Sequence, residues 1–303
     1  MIPYVREITF EYGVSDQVSP LIRRVVANNP GPFTYRGTGT YIVGHGEVAV
    51  IDPGPDIADH LAAILAAIVG EKVSHILVTH HHLDHSPLAG PLAAATGAPV
   101  FGCAVRHALV EDEVKVEAGY DSFTPDISVC GGAMIEGAGW TIEAIPTPGH
   151  TSNHICYALL EENALFSGDH IMGWSTTVIT PPDGDMGDYL ASLDLIKARR
   201  FATLWPTHGP PVTKVEPFIE AYIEHRGERE QQILAELEAG ETRIKAMVPR
   251  IYAAVDPGLY PAAARSVLAH MIKLVKSGRV VTGDEPRLES EYRLARRPSA
   301  KPG

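Results

Sequence analysis

A chain of 303 residues, 45% apolar and 20% charged, has the ordinary composition of a soluble globular protein and can fill one large core plus a smaller domain. A formal net charge of -12 excludes a broad basic face for indiscriminate nucleic-acid or membrane-surface binding, while leaving room for a local basic patch. Three cysteines, Cys103, Cys130 and Cys156, make no disulfide framework and suit a reducing compartment. Met1 to Glu7 lacks a basic segment followed by an apolar one, and the most apolar stretch, Leu61 to Gly70, is too short for a bilayer. The expectation is a cytoplasmic protein with no membrane partner.

In chain order, Leu21 to Ala27 reads as an early strand. Gly37 to Gly44 and Glu47 to Asp52 form a hairpin turned at His45-Gly46. Its glycine spacing is not that of a dinucleotide fingerprint. Ile57 to Val69 is an amphipathic helix, and His75 to Thr79 a short buried strand. Next comes Thr79-His80-His81-His82-Leu83-Asp84-His85-Ser86, and then a helix start with Pro87 in its first turn, continuing through Pro91 to Thr96. From such a loop His80 and His82, two apart, can turn toward one point, and Asp84 and His85 toward a second. Imidazole and carboxylate are the ligands zinc takes where thiolates are absent.

Pro99 to Gly102 is a short strand, Ala104 to Glu117 a weakly specified helix with a solvated Glu111-Asp112-Glu113 face, and Tyr120 to Gly131 loop and strand. Thr141 to Ile145, Cys156 to Leu160, Ala164 to Phe166 and Phe201 to Trp205 are apolar, strand-like runs. Three of these runs precede further candidate ligands: His150 in Pro146-Thr147-Pro148-Gly149-His150, Asp169 in Ser167-Gly168-Asp169-His170, and His208 in Pro206-Thr207-His208-Gly209-Pro210. Ligands at the C-terminal ends of strands are where α/β folds place their sites. His81 and His170 point away from their ligand neighbours by strand alternation, and His154 reads as a hydrogen-bonded strand histidine.

His80-x-His82-x-Asp84-His85, followed by His150, Asp169 and His208, resembles the metallo-β-lactamase superfamily over about residues 20–213. The resemblance implies an α/β (α+β) fold, a four-layer αββα sandwich. It implies one metal held by His80, His82 and His150, a second by Asp84, His85 and His208, and Asp169 bridging. It also places Asp52, in Ile51-Asp52-Pro53-Gly54, beneath the metals as support for a ligand. With no cysteine ligand, two zinc ions are expected, manganese or iron being the alternatives. Zinc lowers the pKa of bound water from about 15.7 to about 7, so a metal-bound hydroxide can attack an ester, thioester, lactone or similar bond. Asp84 both binds metal and orients the nucleophile. The polar, Gly/Pro-rich loop from Ile171 to Tyr189 is a candidate substrate wall, with Ser175, Thr176, Thr177 and Tyr189 as contacts; Asp185 and Asp188 suit the start of the helix that follows.

From Lys214 onward acids and bases nearly balance, so the acidity lies in the catalytic part, 1–213. Val215 to Ala239, ending at Gly240, Thr242 to Tyr252, and Pro261 to Ser277, ending at Gly278, read as three helices, and Arg279 to Thr282 begins a short hairpin. This winged-helix pattern over 214–303 resembles the beta-lactamase-like protein 2 subgroup, some of whose members cut single-stranded RNA. Arg243, Lys245, Arg265, Lys273, Lys276 and Arg279 could hold phosphates there, or be ordinary surface charge. His225 and Arg226, at the linker, read as interface residues. Three substrate readings follow: a small or carrier-bound acyl substrate, single-stranded RNA, and β-lactams as a side activity. The winged helix could also mediate a homodimer.

Overall fold

The structure, a computed structural model, describes residues 1–104 and 123–295. Beyond Ala104, the expected helix to Glu117 with its Glu111-Asp112-Glu113 face, and the first residues of the Tyr120 segment, lie outside the described residues.

A first sheet of seven strands runs in spatial order β1 (Ser15–Ser19), β2 (Ile22–Val26), β3 (Gly39–His45), β4 (Glu47–Ile51), β5 (Lys72–Leu77), β6 (Val100–Gly102) and β7 (Ile127–Ser128). The first four strands are an antiparallel meander, and β3 and β4 are the expected hairpin, with His45 opposite Glu47. From β4 onward the pairs are parallel. Parallel neighbours need crossovers, supplied by α1 (Ala58–Ala67) and α2 (Ala89–Thr96). A second sheet, in order β12-β11-β10-β9-β8, holds β8 (Ala133–Gly137), β9 (Trp140–Pro146), β10 (Ile155–Leu159), β11 (Ala164–Gly168) and β12 (Thr203–Pro206). Its parallel pair, β11 with β12, is crossed by α3 (Met186–Arg199).

Strand alternation explains the layers. Tyr41, Val43, Ala49 and Ile51 of the first sheet meet Ile155, Tyr157, Leu159 and Phe166 of the second in a central core. The intervening Ile42, Val48 and Val50 face away, against Ile64 of α1 and Leu92 of α2. Cys156, Ala158 and Leu165 face the opposite outer layer, against Leu193 and Ile196 of α3. Both faces of each sheet are therefore buried, which is why the strands read as continuous apolar runs. The result is the expected four-layer αββα sandwich.

The outermost helix, α4 (Val215–Glu238), serves two cores. Phe218, Ile219 and Tyr222 pack into the α3 layer, whereas Ile233, Leu234 and Leu237 pack with α5 (Ile244–Ile251), α6 (Tyr260–Lys276) and the hairpin of β13 (Val280–Thr282) and β14 (Tyr292–Leu294). The C-terminal part has the winged-helix pattern of three helices and a hairpin, and α4 straddles the join. No helix among the described residues is long and apolar enough to cross a membrane.

One expectation is corrected. Cys103 and Cys130 are joined in a disulfide, with Cα atoms 5.0 Å apart, and only Cys156 is free. The two lie just past the paired strands β6 and β7, where Phe101 faces Ile127, so sheet registry brings together positions that sequence spacing keeps apart.

Ile219 of α4, fully buried in the core that α4 shares with α3, offers a test of this packing. Ile219→Ala should lower unfolding free energy by about 2–5 kcal/mol, read as a shifted urea midpoint with an unchanged slope.

Candidate metal centre

Five strand ends converge at one rim of the sandwich. β4 ends at Asp52, β5 leads to His80–His85, β9 to His150, β11 to Asp169 and β12 to His208. Just after β5 the chain makes one helical turn, in which the amides of His85 and Ser86 donate to the His82 carbonyl, each at 3.1 Å. That turn sends Asp84 and His85 to the side opposite His82.

The structure brings all seven candidate ligands together in overlapping groups: His80, His82 and His150; Asp84, His85 and His208; and His80, His85 and Asp169. His82 Nδ1 lies 2.9 Å from His80 Nε2 and 3.2 Å from His150 Nε2. His208 Nε2 lies 3.1 Å from Asp84 Oδ2. Asp169 stands between the two halves. Its Oδ1 is 3.4 Å from His208 Nε2 and 3.6 Å from His85 Nε2, while its Oδ2 is 3.8 Å from His150 Nε2.

These residues fit metal ions. With Zn–N near 2.0–2.1 Å, tetrahedral geometry puts neighbouring ligand atoms about 3.3 Å apart, as found here. His85 Nε2, His208 Nε2 and Asp169 Oδ1 are buried without a hydrogen-bond partner, which a folded chain tolerates only where something else satisfies them. The outward ring nitrogens are held by the protein: His85 Nδ1 by Asp52 at 2.9 Å, His150 Nδ1 by the Val178 carbonyl at 2.7 Å, and His208 Nδ1 by the Gly37 carbonyl at 3.2 Å. Each such bond fixes a tautomer that turns the other nitrogen's lone pair inward.

Electrostatics agree. Burial and neighbouring imidazoles hold His80 and His82 well below the usual histidine range, and burial lowers His150 too. Burial also works against a charged His85 and His208, yet Asp84 and Asp169 outweigh it and raise both, His85 most, with Asp52 adding to the effect there. Burial would raise Asp84 and Asp169, but the same two histidines hold both carboxyls below their ordinary value. The carboxylates thus favour positive charge at His85 and His208, the same charge that a bound cation would bring.

Asp52 lies beneath this cluster, wholly buried, with φ at 48°. Its Oδ1 accepts from the Thr79 amide at 2.8 Å. Its Oδ2 accepts from the Thr79 hydroxyl at 2.8 Å, the Thr207 hydroxyl at 2.9 Å and His85 Nδ1. Thr79 and Thr207 were not anticipated as part of the site. Their signal was available, since each directly precedes a ligand, His80 and His208.

The remaining histidines of this rim lie outside the ligand groups. His81 bonds Asn153 at 2.9 Å through Nδ1. His154 pairs with the Thr147 hydroxyl at 2.9 Å, and its Nε2 accepts from the Asp169 amide at 3.2 Å. His170 is buried against the ring of Tyr189.

The loop candidates divide. Ser175 and Thr176 are half-buried. Thr177 and Tyr189 are committed to the protein itself: the Thr177 hydroxyl donates to the Asp169 carbonyl at 2.8 Å, and the fully buried Tyr189 hydroxyl to the His170 carbonyl at 2.9 Å. Tyr189, in the first turn of α3, lies directly behind the turn that carries His150. Gly149 there has φ at 137°, and a Cβ on it would stand 2.3 Å from the Tyr189 Cα, so only glycine fits. Thr177 and Tyr189 therefore hold the loop and do not line a substrate surface. Arg226 is buried, donates to the Thr177 carbonyl and lies over the Tyr189 ring at 5.2 Å, an interface role within the chain.

Comparisons with known proteins point the same way. Residues 35–208 match the sequence profile described as the metallo-beta-lactamase superfamily, and residues 244–287 that of the beta-lactamase associated winged helix domain. A beta-lactamase-like protein 2 homolog of Caenorhabditis elegans is 32% identical over 285 residues, covering 91% of this chain and 90% of that protein. An atrochrysone carboxyl ACP thioesterase of Aspergillus fumigatus is 33% identical over 230 residues, 74% of this chain and 67% of that one. Among solved structures, a metallo-beta-lactamase family protein from Thermus thermophilus superposes with a TM-score of 0.75 at 23% identity, covering 92% of this chain and 100% of that one. A beta-lactamase domain protein from Burkholderia ambifaria gives 0.77 at 20%, covering 95% and 96%. At those identities the structures establish a shared fold.

Two outcomes follow from the geometry. Asp52→Asn keeps the volume but removes the charge that orients His85, and should weaken zinc binding about 10- to 100-fold in competition with a chromogenic chelator. Zinc affinity should also rise with pH, because the tightly held protons on His85 and His208 must leave before their Nε2 atoms can donate. Chelator titrations across neutral pH check the sign; a flat profile would contradict the assignment.

Proposed function

Since the chain belongs to the metallo-beta-lactamase superfamily, whose members are hydrolases, we propose that it hydrolyses acyl thioesters on a carrier at a two-zinc centre. His80, His82 and His150 would hold one ion, and Asp84, His85 and His208 the other, with Asp169 shared between them. The observation that carries this reading is the placement of Asp169, whose two oxygens face different halves of the cluster and whose Oδ1 is buried and unsatisfied. Zinc bound there would supply Lewis acidity and make water available as a nucleophile at neutral pH.

The chain's own residues do the rest. Asp84 is the most open carboxylate of the cluster, with a side chain 26% exposed against 5% for Asp169. Kept ionised by His85 and His208, it accepts a hydrogen bond from the attacking water and orients it. In the net reaction a C–O bond forms, the C–S bond breaks, and the water proton ends on the departing thiol sulfur. Asp52 takes no part in these bonds but keeps His85 aimed.

Relatives named as ACP thioesterases, 33% identical over most of this chain, support the acyl-carrier substrate. The winged helix argues against a phosphate-binding stripe for RNA. Lys273 and Arg279 both pair with Glu230, whose side chain is only 10% exposed. Such a stripe needs cations left free for successive phosphates.

Zinc-loaded wild type should cleave acyl thioesters and leave labelled single-stranded RNA intact. Asp169→Ala should lose metal and activity together, read by metal analysis and thiol release. Full activity in that variant removes the shared-ligand assignment, and RNA cleavage by wild type that Asp84→Ala abolishes would move the reading to a nuclease.

A further inference from the structure

We propose that the groove between the winged helix and loop 181–185 receives the phosphopantetheine arm of a carrier-bound thioester, with its phosphate at Lys276 and Arg287. This rests on the thioester reading and specifies how such a substrate is gripped.

A cavity of about 630 Å³ lies between these parts, lined by Pro181, Pro182 and Asp185 from the loop and by Ile272, Lys276 and Arg287 from α6 and the wing hairpin. The size suits a small-molecule site. Its loop wall rests on the metal centre: a Cβ on Gly184 would lie 3.1 Å from the His150 carbonyl, and the Asp185 amide donates to the Gly149 carbonyl at 2.9 Å. The groove thus passes one layer of chain from a candidate metal ligand.

Its rim carries the charge a phosphate needs. Lys276 Nζ is 2.6 Å from Asp185 Oδ2, and Arg287 is 3.5 Å from Glu285 Oε2. The side chains of Lys276 and Arg287 are 66% and 72% exposed, so both cations are open to an incoming anion, and the Arg287–Glu285 pair, exposed on both sides, contributes little. Asp185 and Glu285 also face the groove and oppose an anion. On releasing Lys276, Asp185 keeps the two bonds its Oδ1 accepts as the cap of α3, from the Gly187 amide at 2.7 Å and the Asp188 amide at 3.1 Å. Glu285 is 80% exposed and remains hydrated. Two cations lining one groove suit a single phosphate, whereas an RNA strand needs them repeated along its length. Between rim and loop, Leu268, Ala269 and Ile272 give the groove an apolar floor for the hydrocarbon part of the arm.

The test compares two thioesters that share the reacting end and differ in the arm: S-acetyl-4′-phosphopantetheine and S-acetyl-N-acetylcysteamine. In Lys276→Ala/Arg287→Ala, KM for the first should rise roughly tenfold with kcat retained, while the second is unaffected. Lys276→Arg/Arg287→Lys should restore KM, which a folding defect would not allow. An equal rise for both esters, or none for either, overturns the groove. Binding of S-methyl-4′-phosphopantetheine, followed by calorimetry, separates the two ideas. If wild type cleaves neither ester but binds this probe and the alanine variant does not, the thioester reading falls and the groove stands. If wild type does not bind it, the groove falls.

Discussion

The buried carboxylate of Asp52 is the constraint on which the metal centre hangs. It takes four hydrogen bonds, from the Thr79 amide, the Thr79 and Thr207 hydroxyls and His85 Nδ1. These partners come from the ends of β5 and β12, which belong to different sheets, and from the turn after β5. An isolated charge at that depth would be prohibitive, so its donors must all be present. The requirement works in both directions. The carboxylate is tolerable only because the two sheets meet there, and the sheets are locked at that rim because the carboxylate needs donors from both. His85 gains its direction as a by-product of that closure.

The same logic extends upward through the cluster. Three carboxylates meet at His85, whose Nδ1 lies 2.9 Å from Asp52 and whose Nε2 lies 3.7 Å from Asp84 and 3.6 Å from Asp169, and one imidazole among three acids leaves a local deficit of positive charge. Raised proton affinity at His85 and His208 is the electrostatic record of that deficit. A divalent cation held by these residues would meet the same deficit without the protons. Burial then has a chemical use, because a cation whose ligands are sequestered from water polarises what reaches its open side more strongly than one in solution.

Much of this was legible in the sequence because ligands here are reported by strand ends. Most apolar runs are followed, within a short polar loop, by a histidine or aspartate, so both the strand and the ligand are visible from the same stretch. The helices also matched closely, since apolar periodicity and the terminal Gly240 are local signals. What stayed hidden depends on registry and on direction. Cys103 and Cys130 meet only because β6 and β7 pair, which spacing does not encode. Thr177 and Tyr189 look like free polar groups in a loop, but their hydroxyls turn inward to carbonyls of Asp169 and His170. Side-chain direction in irregular backbone has no period to read.

Arg226 shows why the winged helix is more than an appendage. It sits in α4 between the half that packs on the sandwich and the half that packs on α5 and α6. Its guanidinium donates to the Thr177 carbonyl, the Thr177 hydroxyl donates to the Asp169 carbonyl, and the ring of Tyr189 lies beneath it. Tyr222, one turn earlier, fixes the same loop through the Met172 amide and carbonyl. The loop bearing Asp169 is therefore held from below by His154 of the sandwich and from outside by a helix whose far end is anchored in the second domain. A catalytic loop of this length, rich in glycine and proline, has little structure of its own. Bracing it from the sandwich and from α4 supplies the rigidity that a metal ligand on this loop would require.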